Sequence, residues 1–159
     1  MQRLLPLCVV GALALGVAAC GDDDDGDTQK LTLETKGALT LFVEDNGRRG
    51  PTAGDERTYS QPLLEDGEQV GTIDGSTTII GESGGFEHRL GTTQFTLADG
   101  TILASGIYDA KPGVAVPARG VVRPIVGGTG TYEGAEGTVT QTAISGGQIR
   151  SVIEFTTDD

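Results

Sequence analysis

The sequence predicts an all-β domain, an antiparallel barrel of about eight strands. Three observations lead there. Short runs rich in Thr, Ile and Val alternate polar and apolar residues through the middle of the chain. Helical periodicity is nearly absent from the same region, and glycine-containing turns separate the runs. The chain has no Trp, four Phe and three Tyr, so its core must come mainly from Ile, Leu and Val.

In chain order, the alternation predicts strands over Ala38–Glu44, Val70–Gly81, Glu87–Leu97, Thr101–Tyr108, Gly120–Val126, Gly137–Ile144 and Gln148–Phe155, with a further one near Tyr59–Leu64. Ala98-Asp99-Gly100 and Ser145-Gly146-Gly147 have the composition of tight hairpin connections. Consecutive hairpins at this spacing give a meander, and a meander of this size closes into a small barrel. The longest irregular segment is Asn46–Arg57, NGRRGPTAGDER, where Pro51 and the glycines forbid a regular strand. A loop of that length is either the rim of a site or a surface excursion.

The ends of the chain are of another character. MQRLLPLCVVGALALGVAAC has the charged start, short apolar run and small residues of a secretory signal, and the run is too short for an ordinary spanning helix. Val17-Ala18-Ala19-Cys20 resembles the lipobox of bacterial lipoproteins. That resemblance implies cleavage before Cys20, a diacylglycerol on its sulfur and anchorage to the outer face of a bacterial membrane. The acidic stretch after it, GDDDDGDTQ, has nothing to bury and reads as a solvated tether. The expected organisation is a signal over 1–19, a lipid-anchored tether over 20–30 and one barrel domain over 31–159. Acyl chains contribute roughly 0.8 kcal/mol per buried methylene, so two or three of them give durable attachment.

Composition excludes several classes of function. Without the signal, 10 basic residues face 23 acidic ones, a net charge of −13, which disfavours nucleic acid. Seven of those acids lie in the tether and tail, so the globular part is only mildly negative. Cys8 would be lost with the signal, which leaves Cys20 alone and no internal disulfide. One cysteine and one histidine, His88, argue against a metal centre, and no cofactor is expected.

The glycine-rich stretch IVGGTGTYEGAEG over 125–137 invites comparison with a phosphate-binding loop. Such a loop needs a helix after the glycines, whose free N–H groups and positive dipole hold the anion. Here TVTQTAI follows, β-branched and alternating, so a strand follows instead. Gly127, Gly128 and Gly130 are better explained by backbone turns of positive φ or by close approach at a barrel end.

VVRPIVGGTGTYEGAEGTVT resembles the strand-turn-strand shared by plant allene oxide cyclases and dirigent proteins. LFVEDN at 41–46, VGTIDG at 70–75 and ADGTILASGIY at 98–108 fit the same pattern in the same order. The resemblance implies an eight-stranded, calycin-like antiparallel barrel with an apolar cavity, a homotrimer as in the plant proteins, and no metal or organic cofactor. It implies a small hydrophobic ligand, a lipid or a phenolic, enclosed and positioned for an isomerase or cyclase step. The alternative is a non-catalytic carrier or structural surface domain that keeps only the barrel.

By the same resemblance, Glu44 and Asn46 match the catalytic Glu-x-Asn of the cyclases, with Asp45 between them matching a dirigent aspartate. Alternation along a strand would put Glu44 and Asn46 on one face. A carboxylate facing an apolar cavity would have a raised pKa suited to polarising or protonating a substrate. Asn46-Gly47 is also a common turn dipeptide, so Asn46 can equally end the strand in a left-handed conformation. Pro51 and Tyr108 match ligand-binding positions of the cyclases, while Thr77 stands near the place of their cavity cysteine.

Overall fold

The computed structural model describes residues 28–47 and 50–157. The signal, Cys20, the tether up to Asp27 and the last two aspartates lie outside the described residues. Among the described residues nine strands run in chain order: β1 (Gln29–Thr35), β2 (Phe42–Glu44), β3 (Glu56–Glu65), β4 (Glu68–Ser83), β5 (Phe86–Leu97), β6 (Gly100–Ala110), β7 (Val121–Gly130), β8 (Glu136–Ala143) and β9 (Ile149–Thr156). All pairings are antiparallel, and β3 to β9 form a meander.

Closure comes from β1, which pairs with β9 along its length and with β3 at Glu34↔Leu64 and Thr35↔Leu63. Eight strands therefore close the barrel, as the sequence predicts, but the composition of the eight differs. KLTLET at 30–35 continues the acidic tether without a turn signal, and its short alternation hides beside that polar stretch. The expected strand over Ala38–Glu44 shrinks to the three-residue β2, which extends β3 beyond the closed ring at Phe42↔Thr58, Val43↔Arg57 and Glu44↔Glu56.

The predicted hairpins are present. Gly100 follows the β5–β6 turn with φ 152°, and Ser145–Gly147 forms a 3-10 turn between β8 and β9. The β4–β5 turn uses Gly84 and Gly85, at φ 59° and 78°, the paired positive values that a twisted two-residue hairpin requires.

Inward residues divide along the barrel axis. At one end Leu33, Leu63, Ile73, Phe95, Ile102, Val139, Ile153 and Phe155 form a fully buried apolar cluster. The glycine stretch 125–137 seals that end: Tyr132 and Ala135 in the β7–β8 turn join the cluster, and the Tyr132 ring meets Phe155 edge-on at 5.7 Å between centroids. A Cβ on Gly128 would lie 1.9 Å from the Tyr132 carbonyl oxygen, so only glycine lets the turn fold back here. Gly130 has φ 63°, whereas Gly127 has open space around its Cβ position and meets neither requirement. The stretch is a plug.

Candidate functional site

At the other end the same inward positions carry polar groups. On β5 the inward row runs Phe95, Thr93, Gly91, Arg89, Glu87, passing from apolar to ionised within one strand. β7 passes from Ile125 to Arg123, β8 from Val139 to Gln141, β9 from Ile153 to Ser151, and β3 from Leu63 to Gln61, Tyr59 and Arg57. Neighbouring strands make the change together because register places Gln141 beside Ser151 and Arg57 beside Thr77.

These residues surround a chamber lined by Arg57, Tyr59, Thr77, Arg89, Tyr108, Arg123 and Gln141, with Ile73, Val121 and Ile149 as apolar walls. Leu39 and Leu41 from the β1–β2 segment and Ala115 and Val116 from the β6–β7 segment complete its lining. The resemblance implied an apolar cavity, but these walls are mixed and cationic. The void that remains is about 20 Å³, room for about one water.

Two glycines make the chamber possible. A Cβ on Gly75 would fall 2.4 Å from the Tyr59 hydroxyl, and one on Gly91 would fall 2.9 Å from the Tyr108 ring and 3.0 Å from Arg123 Nη1. Both side chains and the guanidinium thus lie over bare backbone.

Glu87 is fully buried and holds two arginines. Arg57 donates from Nη1 and Nη2 to its two oxygens at 2.9 and 3.3 Å, and Arg89 donates from Nε at 2.7 Å. Burial alone would raise the Glu87 pKa, but the hydrogen bonds and charges of the two guanidiniums outweigh it and hold the carboxyl below its ordinary value. Arg89 spends its remaining donors on the carbonyls of Val114, Ala115 and Lys111, which ties the β6–β7 segment to the barrel.

Tyr59 bonds Thr93 at 2.7 Å between hydroxyls, and burial raises its pKa, so it stays a neutral hydroxyl. Tyr108 reaches Thr77 at 3.5 Å. Arg123 donates from Nη2 to Gln141 Oε1, whose amide nitrogen in turn donates to Ser151 at 3.2 Å.

Of the residues singled out in the sequence, Tyr108 and Thr77 line the chamber, whereas Glu44, Asp45, Asn46 and Pro51 do not. The expectation that Glu44 and Asn46 face the interior is not met. Glu44 pairs with Glu56, on the phase opposite to inward Arg57, and is exposed. Asn46 is exposed and builds the β2–β3 loop: its amide nitrogen donates to the Ala53 carbonyl at 2.6 Å and its backbone N–H to Asp55 at 3.0 Å. Its backbone is not left-handed either, since Gly47 takes the positive φ, at 90°.

Asp45 accepts a hydrogen bond from the Gly47 N–H at 2.8 Å and is also exposed. Pro51 borders an outer hollow with Ser83, Phe86 and Pro112. The loop itself is ordered by Asp55, whose carboxylate accepts from the N–H groups of Asn46 and Thr52, and these bonds lower its pKa. His88 stands on the outer face of the barrel between Ser83 and Asp109, away from the chamber.

The chamber's arginines and Gln141 are not among the residues that the sequence pattern singles out, although a signal existed. Glu87, Arg89 and Arg123 share the strand phase of Phe95 and Ile125, and an ionised group on a core phase is the mark of a lined cavity.

Fold and chamber together define a closed antiparallel barrel with one sealed end and one receptive end. The chain matches the allene oxide cyclase barrel like domain over residues 30–153, and it belongs to that family. Among solved structures it is similar to a pyocyanin demethylase, at 23% identity over 80% of this chain and 100% of that one, with a TM-score of 0.69. It is similar to the Diels Alderase AbmU from Streptomyces koyangensis, at 21% identity over 86% and 71% of the two chains, with a TM-score of 0.67. A third similar structure is the pterocarpan synthase dirigent protein PsPTS1, at 17% identity over 84% and 97%, with a TM-score of 0.58. A search among curated proteins finds no significant match.

Proposed function

We propose that the receptive end of the barrel binds a small, mainly apolar molecule of lipid or phenolic class, and that an isomerase or cyclase step of allene oxide cyclase type proceeds there by confinement. The observation that carries this reading is the chamber: hydroxyl, amide and guanidinium donors from six strands converge beneath apolar covering residues. Structural neighbours named for a demethylase, a Diels-Alderase and a pterocarpan synthase favour a small organic ligand over a macromolecule. A thermal-shift panel of neutral fatty esters and flat aromatic compounds tests it. At least one class should raise the Tm in proportion to concentration, and a panel without any shift would remove the reading.

A non-catalytic carrier is the second reading, favoured by the position of the carboxylates. Glu44 is outside the chamber, and Glu87 is already bound by two arginines, so no free carboxylate lines it. Product analysis of a bound ligand separates the two, since a carrier returns it unchanged.

The protein is further proposed to be a lipoprotein held on the outer face of a membrane through acylated Cys20, on the strength of the signal and lipobox pattern. Mass spectrometry should find the acyl mass on Cys20, and Cys20→Ser protein should appear in the medium. A serine variant that stays on the membrane would refute the anchor. Self-association is proposed through the exposed apolar pair Leu90 and Ile107, opposite each other on β5 and β6. A sedimentation mass of one chain would remove that proposal.

A further inference from the structure

The chamber presents three arginines and no carboxylate in its lining. Arg57 and Arg89 share Glu87 behind the wall, and together they use both of its oxygens. Among the described residues Arg123 has no such partner. It is 3% exposed, its Nη2 meets only the neutral carbonyl of Gln141, and its Nε has no hydrogen-bond partner. Gln141 cannot compensate, because its other end is engaged by Ser151. One water in the remaining void would satisfy a donor but bring no negative charge.

An arginine buried without a counter-charge is costly unless something pairs with it. Its surroundings are arranged for that partner. Gly91 leaves Arg123 Nη1 and the Tyr108 ring side by side over bare backbone, and Gly106 leaves room for the Arg123 stem at 3.2 Å. Arg123 also lies close enough to the Tyr59 hydroxyl to act against the rise that burial imposes on that phenol. A guanidinium with a free N–H beside two phenol groups is a donor set for a planar anion. Val121 and Ile149 on the walls, with Leu39 and Val116 above, suit an apolar body attached to that anion.

We propose that the chamber's ligand is an amphiphilic anion of the carboxylate class, whose charged end pairs with Arg123 between Tyr59 and Tyr108. The inference rests on the ligand-binding reading above and narrows it. It also gives the chain's charge a division of labour: an acidic exterior, and an interior site where the excess is positive.

Paired probes test it: oleate against methyl oleate, and 1-naphthoate against its methyl ester, titrated into wild-type protein and into Arg123→Met. The wild type should bind each acid at least about tenfold more tightly than its ester. In Arg123→Met the acid should lose that advantage while the ester binds as before. The ligand-free variant should melt at or above the wild-type Tm, since an apolar side chain replaces an unpaired buried charge. Arg123→Lys, which keeps the charge but lacks Nε, should recover part of the preference.

Esters binding wild type as tightly as acids would overturn the anion and leave the ligand reading standing. The acid advantage persisting in Arg123→Met would overturn the role of Arg123. Binding of neither acid nor ester would remove both. A ligand-free Arg123→Met that melts well below wild type would assign Arg123 to structure instead.

Discussion

The two ends of the barrel are made by the same strands on the same inward phase, yet one is packed solid and the other is a lined chamber. At the sealed end, aliphatic and aromatic side chains meet in a fully buried cluster under the Tyr132 plug. At the receptive end, the next inward residues are Arg57, Tyr59, Arg89, Arg123 and Gln141. The sealed end carries stability, because area removed from water and close packing act there without opposing cost. The receptive end is held by a balance of burial against pairing, which is a poor source of stability and a good source of selectivity. Dividing the tasks along the axis lets one small fold have both.

Perturbing each end should separate these roles. Phe155→Ala, which empties part of the cluster beneath Tyr132, should cost about 3–5 kcal/mol in denaturant unfolding, without changing which ligands bind. Next in size is Glu87→Gln, which strips the counter-charge from Arg57 and Arg89 and should cost about 3 kcal/mol. It should also loosen the β6–β7 segment that Arg89 holds, visible as faster amide exchange over residues 111–116.

The Glu87 pair also sets an acid limit. Its folded pKa is depressed, so its contribution is present above the unfolded carboxylate pKa of about 4.3 and is lost as pH falls through the lower folded value. The stability gap between wild type and Glu87→Gln should therefore narrow from about pH 5 downward, as read by Tm against pH. Asp55, depressed by its backbone bonds, adds an acid-sensitive contribution that both proteins share. A gap that stays constant to pH 3 would mean that Glu87 is not held below its ordinary value.

Gly75→Ala should be milder, about 1–3 kcal/mol, because its methyl meets the Tyr59 phenol and the Thr92 carbonyl. Its sharper effect should be on the chamber, with ligand shifts reduced more than the Tm. The smallest effect belongs to Glu44→Gln, on an exposed strand outside the ring: under about 0.5 kcal/mol, with ligand shifts unchanged. A loss of binding in that variant would bring β2 back into the site.

Strand alternation made most of the fold legible. The runs from Val70 to Leu97 follow a period of two, and the glycine turns between runs punctuate them, so seven barrel strands could be read directly. β1 was not legible, because pairing with β9 and β3 across the whole length of the chain turns KLTLET into a barrel strand, and a window of six residues contains neither partner. The site was less legible still. Glu44 and Asn46 sit in a motif whose spacing fits a strand face, but register with β3 decides the direction of that face, and Asp55 recruits Asn46 into a loop.

By itself the sequence determined the class of fold, the hairpin order and the meaning of the glycine stretch. Each of these depends on neighbours within a few residues: alternation, φ preference and the absence of a helix after the glycines. Only the tertiary structure decided which strand closes the barrel, where the apolar row gives way to arginine, and that Arg123 is buried without a counter-charge. Those are properties of residues distant in sequence that register and closure bring together, and a charge's partner can be counted only once the wall around it is complete.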